Sequence, residues 1–131
     1  MLRPLLLLLL LSSFLLLLAG CAAAPPHADG RQLSGEEIEQ LFSGHSFTLI
    51  GMKSGNELLV YSDAEHCTMR YVNGTRTKKL RWYTEGDQHC CVRDGKPMCG
   101  AIYDQGQGIY HKFTDGRHSH TMKDFTAGNR L

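Results

Sequence analysis

The sequence contains none of the short motifs that mark common catalytic centres. It has no G-x-S-x-G elbow, no S-x-x-K pair and no phosphate-binding loop, and residues 106–108 lack the third glycine of a nucleotide-binding fingerprint. The carboxylates are scattered through turn-like segments, and no pair stands out as a general acid and a general base. We therefore expect no enzymatic activity and no resident cofactor.

The chain also lacks an excess of charge of one sign. It carries 14 Lys and Arg against 13 Asp and Glu, and the loss of residues 1–20 would remove Arg3 and leave 13 of each. A balanced chain provides no field of one sign that would attract nucleic acid or an acidic membrane surface. We expect neither of them as a partner.

The one long apolar run, residues 5–18, is too short to span a bilayer, which takes about 20 apolar residues. The basic Arg3 precedes the run and small residues follow it, which is the pattern of a secretory signal peptide over residues 1–20. An uncleaved membrane anchor is the alternative interpretation.

The end of this segment, Leu-Ala-Gly-Cys at residues 18–21, resembles the lipobox of bacterial lipoproteins. The resemblance implies that Cys21 is acylated and becomes the mature N-terminus. Burial of acyl chains contributes ~0.8 kcal/mol per CH₂, so two or three chains hold a small domain on a membrane. In a Gram-negative envelope, Ala22 in place of aspartate favours the outer membrane. The alternative is a soluble secreted protein in which Cys21 is incidental.

Residues 21–33 are small and proline-rich, which is typical of a tether, and residues 34–131 form a single predicted domain. Ser34 and Glu37 have the spacing of a capping box, and Gly44 supplies a stop signal. We predict a helix over residues 34–43.

The remainder reads as strands separated by turn signals, which makes the domain mainly β. Two-residue turns of the Asn-Gly and Asp-Gly type indicate antiparallel hairpins. About eight short strands then form a meander that curls into a half-barrel or small barrel, with the helix covering one side. Strands this short leave no room for a large ligand pocket. The turn signals lie at 54–56, 63–64, 73–74, 85–87, 94–95, 104–108 and 115–116.

Four cysteines follow the predicted acylation site, and no C-x-x-C motif is present. An even number of cysteines in an exported protein favours disulfides over a redox or metal site. If residues 94–95 form a two-residue turn, Cys90 lies opposite Cys99 and can bridge to it. A second bridge between Cys67 and Cys91 needs a bend or another register, because two strand spacings separate them by ~9.5 Å in a flat sheet.

Three histidines flank the predicted turn at residues 115–116. An uninterrupted two-residue hairpin pairs His111 with His120 and places His118 on the same face. Such a set can hold Zn or Cu, and Met122 would add a soft ligand for copper. Solvated or hydrogen-bonded imidazoles, or a patch that responds to pH, are the alternatives.

Three segments, LSGEEIEQLFSGHSF at 33–47, RWYTEGDQHCCV at 81–92 and GNRL at 128–131, are similar to a family of short bacterial periplasmic proteins. The resemblance implies one helix plus an antiparallel sheet and brings no assigned activity. We expect a non-enzymatic lipoprotein on the periplasmic face of the outer membrane, which binds another envelope protein or supports the cell envelope. The alternatives are a metal-binding lipoprotein that uses the histidine cluster, and an inhibitor of a hydrolase such as lysozyme, since several such inhibitors are small β-barrel lipoproteins.

Overall fold

A computed structural model describes residues 29–131 of the chain, and the predicted signal peptide, Cys21 and most of the tether lie outside the described residues. The described part is mainly β with one helix, which confirms the predicted class. Its elements are β1 Arg31–Gln32, α1 Gly35–Phe42, β2 His45–Gly51, β3 Glu57–Ser62, β4 His66–Tyr71, β5 Lys78–Glu85, β6 Gln88–Arg93, β7 Lys96–Gly106, β8 Ile109–Thr114 and β9 Arg117–Ala127.

The helix α1 begins at the predicted capping box. The Ser34 hydroxyl accepts a hydrogen bond from the Glu37 backbone N–H, and the Glu37 carboxylate accepts one from the Ser34 N–H. Ile38 and Phe42, one helical turn apart, are fully buried. The helix therefore presents a narrow apolar stripe to the strands, as its spacing predicts.

The folded domain begins earlier than residue 34, where the sequence places its boundary. Residues 31–32 form the short strand β1, which pairs with Tyr103 and Asp104 of β7. The next residue, Leu33, is buried in the core, and its N–H donates to the Ile102 carbonyl. From the sequence, we assign these residues to the tether because a strand of two residues has no recognisable sequence pattern.

The strands β2 to β9 form a closed antiparallel barrel. Each strand pairs with the next one along the chain, and the last strand pairs with the first, with Leu49 opposite Met122. Each of the seven predicted turn signals coincides with or overlaps a connection between these strands, although the segments at 85–87 and 104–108 begin within β5 and β7. The predicted meander therefore closes completely, and no strand of the barrel is left as a free edge. No helix within residues 29–131 is both long enough and apolar enough to cross a membrane.

Because the strands alternate in direction, the connections gather at the two ends of the barrel. We call residues 52–57, 70–78, 93–96 and 114–117 the open rim. The opposite end, which we call the helix end, comprises 29–44, 63–65, 85–88, 104–108 and 124–131. The helix α1 packs there against β2, β5 and β6, so among the described residues the helix covers this end of the barrel.

Two hairpins at the open rim have the predicted turns. Asp94 and Gly95 have φ of 51° and 74°, and Asp115 and Gly116 have φ of 51° and 73°. Positive φ at both central residues defines a type I′ turn, whose twist matches the flanking strands.

The aromatic core is centred on Phe42 of the helix. Its ring centroid lies 5.2 Å from that of Phe47, 5.7 Å from Phe125, 5.9 Å from Trp82 and 4.6 Å from the His89 imidazole. Phe42 thus joins the helix to aromatic residues of four strands, β2, β5, β6 and β9.

We predict that Phe42→Ala lowers the free energy of unfolding by ~3–5 kcal/mol, because it removes a fully buried ring and leaves a cavity. Tyr71→Ala, at the exposed rim, is the control and should change it by less than about 0.5 kcal/mol. Urea denaturation followed by tryptophan fluorescence measures both values. Equal losses in the two variants would contradict this placement of the helix.

Candidate functional site

The first predicted disulfide is present. Cys90 and Cys99 lie directly opposite each other on β6 and β7, and their sulfurs are 2.07 Å apart. The pairing follows from the tight turn at residues 94–95, which fixes the register of this hairpin.

The second predicted bridge, between Cys67 and Cys91, is not formed in this structure. The two residues lie on β4 and β6, on either side of β5, and both line the barrel interior. Their sulfurs are 3.8 Å apart and unbonded. The curvature of the barrel brings together two side chains that a flat sheet would separate by two strand spacings.

The three histidines predicted as metal ligands are not brought together. A β-bulge at Ser119 shifts the register of β8 and β9, so that His120 pairs with Lys112 and His111 pairs with Thr121. His111 and His118 stack at 3.9 Å between ring centroids, whereas His120 faces the interior cavity. The prediction of one shared face is wrong because it assumed an uninterrupted ladder.

Within residues 29–131, one group of three potential metal ligands has its donor atoms close together, and it does not contain these histidines. The group consists of Glu85, Cys90 and Cys99. Both of its sulfurs belong to the disulfide, which leaves a single free ligand. The structure therefore gives no support to the predicted Zn or Cu site.

Instead, the alternation of β8 places a lysine inside the barrel, opposite the fully buried Ile102 of β7, and the bulge on β9 brings His120 to the same interior. Lys112 is 6% exposed, its Nζ lies 3.1 Å from His89 Nδ1, and it donates to the Met98 carbonyl at 3.2 Å. Gly100 on β7 leaves room for the lysine, since a Cβ there would lie 3.0 Å from Lys112 Cε and would collide with the Phe113 carbonyl. The sequence pattern misses this residue, because Ile109 and Phe113 make the opposite face of β8 the more apolar one.

No carboxylate of residues 29–131 lines the cavity around Lys112. Burial lowers the pKa of the Lys112 ammonium from 10.5 to about 8, while the nearby thiols Cys91 and Cys67 act in the opposite direction. Burial, assisted by the charge of Lys112, also lowers the pKa of His89 well below its ordinary value. A neutral imidazole can accept the hydrogen bond that the ammonium donates.

The cavity has a volume of about 110 Å³ and mostly apolar walls. Pockets for drug-sized ligands measure ~300–1,000 Å³, so this one admits only very small molecules. Among the described residues, one buried side-chain oxygen has no hydrogen-bond partner, the Ser62 hydroxyl, and Ser62 lines this cavity. The polar residues of the wall are Ser62, Cys67, His89, Cys91, Arg93, Lys112, Thr114 and His120.

The balanced charge of the chain conceals a strong separation between the two ends. The open rim holds seven basic residues, Lys53, Arg70, Arg76, Lys78, Arg93, Lys96 and Arg117, against the acidic Glu57, Asp94 and Asp115. The helix end holds Arg31 and Arg130 against ten acidic residues, Asp29, Glu36, Glu37, Glu39, Asp63, Glu65, Glu85, Asp87, Asp104 and Asp124. The expectation that no region of one sign exists is therefore wrong, because net charge does not report how the fold distributes charges.

The exposed large apolar side chains also gather at the basic end. Within the described residues these are Met52, Tyr71, Val72 and Met98, which are 49%, 57%, 46% and 43% exposed. The first three belong to neighbouring loops of the open rim, joined by a hydrogen bond from the Val72 N–H to the Glu57 carbonyl. Met98 lies at the cavity wall, close to the start of β7.

No protein-family model matches the chain, and no curated protein or solved structure matches it either. Two features of the barrel remain as candidates for function: the basic rim with its exposed apolar side chains, and the buried cluster around Lys112.

The inward position of His120 predicts how stability responds to acid. Burial, followed by the charges of Lys112 and Arg93, lowers its pKa from 6.5 to about 4. Between these values the unfolded chain binds a proton that the folded chain does not, so the free energy of unfolding falls as the pH drops from 6.5 to 4.

We expect His120→Gln to flatten part of this slope, with the remainder contributed by His89 and His111, whose pKa values are lowered too. His118→Gln, on the outer face, is the matched control and should flatten the slope less, because the charge of His118 is a smaller cause than burial of the lowered pKa values of His111 and His120. Urea denaturation at pH 7, 5.5 and 4.5 measures the effect. A slope that flattens in the His118 variant and persists in the His120 variant would show that the bulge is misplaced.

Proposed function

We propose that this chain is a non-enzymatic, lipid-anchored bacterial lipoprotein that binds an acidic envelope protein through its open rim. The observation that carries the proposal is the gathering of the four exposed large apolar residues at the basic end of the barrel. Exposed apolar patches surrounded by polar residues mark interaction sites.

The composition of the rim resembles that of a protein interface. Interfaces are enriched in aromatic residues, methionine and arginine, and the rim and its adjoining wall carry Tyr71, Met52 and Met98 among four arginines, Arg70, Arg76, Arg93 and Arg117. The excess of basic residues selects an acidic partner, because complementary charge steers the encounter and excludes partners of the same sign.

The predicted tether leaves the barrel on the side opposite the rim. The partner of the rim is therefore more readily a protein than the membrane in which the chain is anchored. Asp29, the first described residue, lies at the helix end, where its carbonyl accepts a hydrogen bond from Gln105. An acylated Cys21 precedes it by eight residues, so the chain would leave the barrel at the end opposite the rim. The rim then points away from the membrane, and a periplasmic partner can reach it.

A triple variant of the rim, Met52→Ser with Tyr71→Ser and Val72→Ser, tests the proposed interface. We expect the amount of partner captured in cross-linked envelopes to fall at least about tenfold, since central apolar residues contribute most of the binding energy. The matched control replaces the exposed Glu36, Glu39 and Asp87 of the helix end by serine and should retain the partner. Quantitative mass spectrometry of the captured proteins provides the readout.

The captured protein should be acidic at the face that is cross-linked, and higher salt should weaken the interaction. Two outcomes would contradict the proposal: equal capture by the rim variant and its control, or a rim-dependent binding of the chain to phosphatidylglycerol vesicles or to DNA in place of a protein.

The anchor itself is tested with labelled palmitate. We expect Cys21→Ala to abolish incorporation of the label and to release the protein from the membrane fraction, because the thiol that carries the acyl chains is gone. Ala22→Asp should keep the label and move the protein from the outer to the inner membrane. Label that persists in the Cys21 variant would contradict the proposed lipidation.

A further inference from the structure

Two free thiols meet inside the barrel in an arrangement that makes them chemically unequal. The sulfurs of Cys67 and Cys91 are 3.8 Å apart and share a hydrogen bond. The hydrogen bond from Cys67 is the largest influence that lowers the pKa of Cys91, and the same contact, together with burial, raises the pKa of Cys67. Cys91 is also the less buried of the two thiols, so we assign it as the one that loses its proton more readily, with Cys67 as the donor of the hydrogen bond.

The groups around the thiolate are positive or neutral. Lys112 lies deepest, Arg93 and Lys78 lie toward the open rim, and all three charges lower the pKa of Cys91. The two imidazoles that line the same cavity, His89 and His120, have lowered pKa values and stay neutral near pH 7. With no carboxylate in the cavity wall, the Cys91 thiolate is the natural counter-charge of the buried ammonium.

This electrostatic environment favours an anion-forming reaction over metal binding. A metal cation held between the sulfurs would lie close to the Lys112 ammonium and would have to overcome its repulsion. A thiolate that attacks a neutral molecule and expels an anion gains from the same ammonium, because negative charge moves onto the departing atom.

The cavity sets the size of the molecule that can react. Its volume of about 110 Å³ reaches from the two sulfurs to Arg93 and Met98 near the open rim. A water molecule occupies ~30 Å³ of liquid, so a molecule of two heavy atoms fits. The unpartnered Ser62 hydroxyl offers such a molecule a hydrogen bond.

We propose that Cys91 and Cys67 form a hydrogen-peroxide-reactive site in which Lys112 is the third functional residue. The Cys91 thiolate attacks one oxygen of hydrogen peroxide, the O–O bond breaks, and Cys91 becomes a sulfenic acid while hydroxide departs. Lys112 donates a proton to that hydroxide, which leaves as water. The Cys67 thiol then attacks the sulfenic sulfur, expels a second water and forms a Cys67–Cys91 disulfide, so that two electrons pass from the thiol pair to the peroxide.

The proximity of Cys67 makes the second step an intramolecular one. A disulfide has an S–S distance of ~2.05 Å, so the two sulfurs need to approach by less than 2 Å from their present 3.8 Å. An external thiol reductant would return the site to its starting state by thiol–disulfide exchange. Repeated cycles of these steps would be a peroxidase reaction, which is an activity additional to the non-enzymatic partner binding proposed for the rim. The three residues of the site lie below the rim surface, so the two functions are independent.

The experiment uses the full chain in detergent micelles, treated with a phosphine reductant and then with hydrogen peroxide. In the wild type, peptide mapping should show the appearance of a Cys67–Cys91 disulfide. In Cys67→Ser, which removes the second thiol, dimedone should label a sulfenic acid at Cys91. In Cys91→Ser, dimedone should leave Cys67 unlabelled.

The role of Lys112 is separated from a merely structural one by the pH profile of the reaction. We expect Lys112→Met to raise the pH of half-maximal rate by about one unit and to slow the peroxide reaction about fivefold at pH 7. The pKa of Cys91 is lowered to about 7, so a rise of one unit reduces the thiolate fraction at pH 7 from one half to about one tenth. Lys112→Arg keeps the positive charge but cannot give up a proton, so it should restore the pH of half-maximal rate and recover only part of the rate. Lys79→Met, an exposed lysine on β5, is the matched control and should behave as the wild type.

Three results would overturn the proposal. The first is a Cys67–Cys91 bridge that the reductant cannot open in the folded protein. The second is a Cys91 thiol that reacts with hydrogen peroxide no faster than free cysteine at the same pH. The third is an unchanged rate and pH profile in Lys112→Met, with its fold verified by circular dichroism.

Discussion

The pairing of β9 with β2 is the constraint on which the rest of the structure depends. Once Leu49 lies opposite Met122, the meander closes and every strand has one inner face and one outer face. Side chains on the inner faces lose contact with water whether or not they are apolar. Lys112, His89, His120 and the two free thiols are thus buried together as a consequence of closure, and the absence of a carboxylate among them fixes the positive character of the cavity.

Local signals in the sequence suffice for much of the fold. The Ser34 capping box, the seven turn signals and the Cys90–Cys99 register all follow from short-range rules, because each depends on residues within one hairpin or one helical turn. The sequence pattern does not determine closure, which is a long-range pairing, nor does it separate a half-barrel from a complete one. The Cys67–Cys91 contact is predictable in part. The two residues can be identified from the sequence, but the distance between their sulfurs depends on the curvature of the barrel.

The candidate sites were largely beyond sequence reasoning, for two physical reasons. The bulge at Ser119 inverts the faces of the residues beyond it on β9, so that His120 exchanges the outer face for the interior, where Lys112 of β8 already lies. A one-residue bulge carries no strong sequence mark, yet it exchanges the two faces of a strand. The separation of charge between the ends is likewise invisible in a balanced composition, because it arises only when alternate loops gather at opposite ends.

The most direct measurement of the central claim is the register of β8, β9 and β2 by nuclear Overhauser effects in the isotopically labelled protein. The closed, bulged barrel predicts cross-strand contacts between Lys112 and His120 and between Leu49 and Met122. A contact between His111 and His120 in place of the first, or the absence of the second, would contradict both the closed barrel with its buried lysine and the functions inferred from it.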